Sequence, residues 1–180
     1  MRFLTAILTS LLLALPVAAR PLDETEQAAL MKAVDSYLRA TGAGNAEKIV
    51  ETIPPRIVNV FAGSAGIEAK KVQDTLVTQT KEILKTTKIS EFVASKGPFD
   101  AQDSKLADGT DITWVVVPIE FTAEANGKKT RNAQPLLALH EGEKWYFSRI
   151  DGPQQQQIVS LAYPFMTEAK LPQATSTPLN

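Results

Sequence analysis

The chain has 180 residues, no cysteine, a single histidine, and 19 basic against 20 acidic side chains. That composition excludes disulfides, thiolate zinc sites and cysteine nucleophiles, and its nearly balanced charge gives no reason to expect a nucleic-acid partner. A length of this order fits one domain able to bury a core without covalent staples.

The first segment, Met1 to Ala19, has the pattern of an export signal. Arg2 supplies positive charge, Phe3 to Leu15 is apolar apart from Thr5, Thr9 and Ser10, and Val17-Ala18-Ala19 places small residues before a cleavage point. The apolar run is too short to span a bilayer comfortably. Cleavage is expected between Ala19 and Arg20, giving a periplasmic or secreted protein. The absence of cysteine agrees with a bacterial envelope. No second long apolar run follows, so no membrane span is expected after cleavage. The organisation read from the sequence is a signal peptide at 1–19, one domain at 20–166 and a flexible carboxy-terminal tail at 167–180, polar and proline-containing from Pro172.

The mature part opens with helical spacing. Asp23 to Thr41 carries Leu30, Val34 and Tyr37-Leu38 on one face, with Asp23 and Glu24 at the acid-favouring end. Gly42 to Gly44 stops it. Asn45 caps a short helix expected over Ala46 to Ile53. Pro54-Pro55 breaks that helix and starts another over Arg56 to Phe61. Gly63 to Gly66 reads as a turn. The longest helix is expected at Ile67 to Thr87, with Val72, Leu76, Thr80 and Ile83 along one side. Lys70, Asp74, Lys81, Lys85 and Lys88 fall on another side and read as a solvated face.

From Ile89 the pattern changes to strands: Ile89 to Ala94, Ile112 to Ala125, Lys128 to Leu139 and Lys144 to Ile150. Asp108-Gly109, Asn126-Gly127 and Glu141-Gly142-Glu143 supply the turns, and Asn126-Gly127 is the strongest hairpin signal in the chain. Pro118 and Pro135 are expected at bulges or edges. Ile158 to Leu161 reads as a final short helix, with a strand over Ile158 to Tyr163 as the alternative. Helices followed by hairpins imply an α+β domain with helices gathered on one face of an antiparallel sheet.

Three passages of this pattern resemble the nuclear transport factor 2-like superfamily. They are the opening helix pair of Ala28 to Ile53, the long helix of Glu68 to Thr87, and the hairpins of Asp111 to Asp151 with their Leu-Leu-Ala-Leu and Lys-Trp-Tyr-Phe strands. The resemblance implies amino-terminal helices packed on a curved antiparallel sheet, a cone-shaped, cystatin-like roll. It covers Leu22 to Asp151 and rests on element order, which does not fix a function. The superfamily includes isomerases, dehydratases, ligand binders and accessory domains.

The residues themselves offer little catalytic equipment. His140 lies where a strand enters a turn, and neither Ser148 nor Ser160 has a nucleophile-elbow context. One histidine and no cysteine leave no transition-metal set, and Asp100-Ala-Gln-Asp103 lacks calcium-loop spacing. No cofactor or metal is expected. Tyr37, Trp114, Phe121, Trp145 and Phe147 either line an apolar cavity, with Arg149 beside them, or belong to the core. Arg149 and Asp151 share a strand face, so an ion pair is expected. Ile112 to Ile119 is apolar on both faces. One face requires the helices; the other requires a second subunit or the carboxy-terminal segment, and a homodimer is the expectation. The functional expectation is an exported, non-enzymatic envelope protein binding a small apolar ligand or another envelope protein. The rivals are a small cavity enzyme of the isomerase or dehydratase type and a homodimeric assembly domain.

Overall fold

The computed structural model describes residues 19–179, so the expected signal peptide lies outside the described residues except at Ala19. The chain is α+β, built on an antiparallel sheet of seven strands that does not close into a barrel.

A two-residue strand, β1 (Arg20–Pro21), precedes helix α1 (Glu24–Gly42). Asp23 caps α1 reciprocally: its Oδ1 accepts from the Glu26 amide at 2.7 Å, while Glu26 Oε2 accepts from the Asp23 amide at 3.0 Å. Asn45 caps α2 (Ala46–Val50) through the Lys48 amide at 3.0 Å, and Pro55 opens α3 (Pro55–Ala65). The expected turn at Gly63 is instead the last stretch of α3. The stop comes at Gly66, whose φ of 64° provides the left-handed cap. Helix α4 (Ala69–Thr86) buries fully only Val72. Its lysines pair outward, Lys70 with Asp74 at 3.6 Å and Lys85 with Glu82 at 2.6 Å, as a solvated face does.

Strands β2 (Thr87–Ala94), β3 (Asp100–Lys105), β4 (Asp111–Ala125), β5 (Lys128–Glu141) and β6 (Lys144–Arg149) follow. The spine is the β4–β5 hairpin, in unbroken register from Ile112↔Glu141 to Ala125↔Lys128. Asn126 (φ 52°) and Gly127 (φ 71°) both lie in the left-handed region, as a type I′ turn requires. On the outer side of β4, β3 covers Asp111 to Trp114 and β2 covers Ile119 to Ala125. A bulge in β2 sets Glu91 and Phe92 against Phe121 alone, with Glu91 at φ 55°, and Phe92 packs on Phe121 with ring centroids 5.9 Å apart.

The prolines are not at edges. Pro118 and Pro135 sit directly opposite one another in the middle of the two longest strands. Proline has no N–H, so it fits only where no neighbour needs one. Pro118 lies in the gap between the β3 and β2 pairings, and Pro135 lies between those of β6 and β7 (Thr175–Leu179).

Helices cover both faces of the sheet, which corrects the expectation of one helical face. Val115, Val117, Ile119 and Phe121 of β4 pack with Leu30, Val34 and Tyr37 of α1. The alternate residues Ile112 and Trp114 pack with Val159 of α5 (Pro153–Ala162), with Tyr163, and with Met166 in the 3₁₀ turn Pro164–Glu168. Ile158 to Leu161 is therefore helical. The apolar second face is covered by this chain's own carboxy-terminal segment, and the reason for expecting a homodimer falls away. The tail is corrected as well. Ala169 and Leu171 pack against the second core, and Thr175 to Leu179 pairs antiparallel with Lys129 to Ala133. Backbone pairing holds a strand whose side chains are all exposed.

Candidate functional site

Where the two helical layers meet at the open edge of β6, a cavity of about 290 Å³ remains. α1 contributes Tyr37 and Thr41. Ile49 and Ile53 come from α2 and the loop after it, Ile57 and Phe61 from α3, and Leu76, Thr80, Ile83 and Leu84 from α4. Phe147 and Arg149 of β6, with Ile158 and Val159 of α5, close the remaining sides. The β6 edge is not left unpaired here, because the Phe147 amide donates to Thr52 O at 2.7 Å.

The hydroxyls in this wall are largely committed. Thr41 Oγ1 donates to Tyr37 O at 2.9 Å and Thr52 Oγ1 to Ile49 O at 2.6 Å, so both present little free polarity inward. Arg149 is the sole charged residue of the lining. Its Nη2 meets Asp151 Oδ2 at 2.7 Å, the pair expected from strand periodicity. Burial works against the guanidinium's charge, but the Asp151 carboxylate outweighs it and raises its pKa. Burial likewise raises the pKa of the Tyr37 phenol, against an opposite pull from Arg149. The phenol therefore stays protonated as an O–H donor. Phe61 and Ile83 stand at the mouth, Ile83 being 59% exposed.

The six residues expected at a ligand site divide four ways. Tyr37, Phe147 and Arg149 line the cavity. Phe121 is core, buried against Phe92. Trp114 lies on the opposite face, stacked on Phe165 at 6.4 Å, in the wall of an open groove of about 690 Å³ with Lys170 and Glu168. Trp145 lines neither space. It is half-buried and packs on His140 in a tilted pair with ring centroids 4.9 Å apart, which accounts for His140 as a packing partner.

Aromatic content alone missed the aliphatic wall. The signal was present: Ile49 of the short α2, Ile53 in the loop after it, and the Leu76, Thr80, Ile83 stripe of the exposed α4 leave a space between them.

A buried tyrosine does sit beside a carboxylate, but elsewhere. Tyr163 is fully buried and donates to Glu141 Oε2 at 3.0 Å, while Arg56 Nε holds Glu141 Oε1 at 2.7 Å and its Nη2 reaches Asp108 Oδ2 at 2.8 Å. Burial first, then the Glu141 charge, pushes the Tyr163 phenol up. Hydrogen bonds from Thr110, then Arg56, bring Asp108 down to about 2. Neither Tyr163 nor Glu141 lines the cavity or the groove. With both carboxylate oxygens engaged, this network is a clasp joining α3, the β3–β4 turn, β5 and the end of α5.

Among the described residues no group of three or more His, Asp or Glu side chains is placed to hold a metal ion. No described helix is long and apolar enough to cross a membrane. No protein-family model matches this chain. No curated protein and no solved structure matches it significantly either. The site must therefore be read from its own geometry.

Proposed function

We propose that this chain is an exported, non-enzymatic envelope protein that holds a small apolar molecule in the cavity at the β6 edge. The observation carrying this reading is the wall itself: one charged residue, no acid, and aliphatic side chains from four helices around about 290 Å³. Such a space binds by removing apolar surface from water, worth about 25 cal/mol per Å². Its lining holds no carboxylate, histidine or cysteine. The Met1 to Ala19 pattern supports export. The element order supports a kinship with the nuclear transport factor 2-like roll, with the α5 layer as an added feature on the second face.

Native mass spectrometry of protein purified from its own cell envelope tests this reading. The expected result is a chain beginning at Arg20 that carries a small hydrophobic adduct. Thr80→Phe, which fills the cavity from the lightly packed α4, should lose that adduct while remaining folded. A wild-type chain that is always bare, and that takes up no apolar probe, would sink the proposal.

A further inference from the structure

We propose that the ligand is an amphiphile with a carboxylate head held by Arg149, its chain running between α2 and α4. The inference rests on the ligand-binding reading and names the class of molecule.

Polar groups in the wall cluster at one end. Ser148, Arg149 and Gln155 gather where β6 passes into α5, and Tyr37 lines the same cavity. The far wall, Ile49, Ile53, Leu76, Ile83 and Leu84, is aliphatic apart from Thr52, whose hydroxyl is committed to Ile49 O, and the single hydroxyl of Thr80. A ligand polar at one end and apolar at the other matches this division; a uniformly apolar one leaves the donors unmatched. The sign of the head follows from charge. Arg149 is the only ionised group of the lining, and Asp151, its partner, lies outside it. Among the described residues, Asp151 takes one Nη2 hydrogen bond and is the sole hydrogen-bond partner of the guanidinium. The second Nη2 hydrogen remains and, with Nε or Nη1 beside it, forms a fork that donates to both oxygens of a carboxylate. Arg149 is 42% exposed, so the head sits at the rim and the chain inside.

Size follows from volume. A dry cavity of about 150 Å³ holds benzene, and one about twice as large takes about ten to twelve non-hydrogen atoms. Octanoate has that size, and 1-octanol is its uncharged counterpart.

Isothermal titration calorimetry of both probes against the purified protein is the test. Octanoate should bind about tenfold or more tightly than 1-octanol, as a charge-assisted pair allows. Arg149→Gln, which keeps most of the side-chain stem, should bring octanoate down to the affinity of 1-octanol and so abolish the preference. Asp151→Asn, which frees the guanidinium, should strengthen octanoate binding alone. Equal affinity of wild type for the two probes, or a preference that survives Arg149→Gln, would overturn the carboxylate head and leave the apolar cavity standing. Binding of neither probe would overturn both.

Discussion

Gly127 isolates one term of folding cleanly. Its φ is 71°, and a Cβ built there meets nothing within 4 Å, so any substitution is felt through the backbone alone. Valine suffers the clash of a branched Cβ with the neighbouring carbonyl in the left-handed region, roughly 1–3 kcal/mol. Asparagine visits that region readily and should cost under about 1 kcal/mol. In a domain of this size each kcal/mol moves Tm by about 2–4 °C. Gly127→Val should therefore melt about 2–12 °C below wild type, with Gly127→Asn nearer to it, in thermal unfolding followed by circular dichroism. The consequence reaches beyond the turn. A slip of one residue in β4–β5 would exchange Val115, Val117 and Ile119 with Trp114 and Val116 between the two cores. Equal melting of the Val and Asn variants would refute the argument, since it would remove the left-handed backbone as the cause.

Three further outcomes are expected. Val117 is fully buried under α1, so Val117→Lys should fail to fold, whereas Val116 is half-buried at the open groove and Val116→Lys should give a folded monomer in light scattering. Tyr163→Phe should lower stability by roughly 0.5–1.5 kcal/mol in urea, because Glu141 keeps its Arg56 partner when the hydroxyl is removed. Arg20 hydrogen-bonds Glu26 and Asp103 and lowers both carboxyl pKa values from their ordinary 4.5 and 3.8, so the stability they add is present above those values and is lost as pH falls through the depressed ones. Arg20→Ala should flatten the acid limb of the stability–pH curve below about pH 4.5; an unchanged limb would show that these contacts do not persist in solution.

Local chemistry made the hairpin and the opening helices legible. Asn45, Pro55 and Asn126-Gly127 act within four residues of where they stand and each performs the expected role, while Asp23, expected as a first-turn acid, serves as the cap. What escaped depends on pairing and packing that a segment's own residues do not announce. β3 is the polar run Asp-Ala-Gln-Asp-Ser-Lys with only Ala101 buried, so it shows no apolar alternation. β7 has no buried side chain and is a strand only because β5 has an open stretch beside it. The double-apolar β4 signalled that something covers its second face, but whether that was a subunit or α5 depended on tertiary packing. The cavity is the same kind of feature: three of the six expected residues reach it, while the aliphatic wall arises from how five helices and β6 fail to fill one volume.

The central claim, an apolar molecule held at the β6 edge, is tested most directly by methyl-resolved NMR with 1-octanol added to saturation. The account predicts shifts at Ile49, Ile53, Ile83 and Leu84, with Val115, Val117 and Leu139 unmoved. Unmoved cavity methyls, or shifts confined to Val116 in the groove beside Trp114, would contradict it.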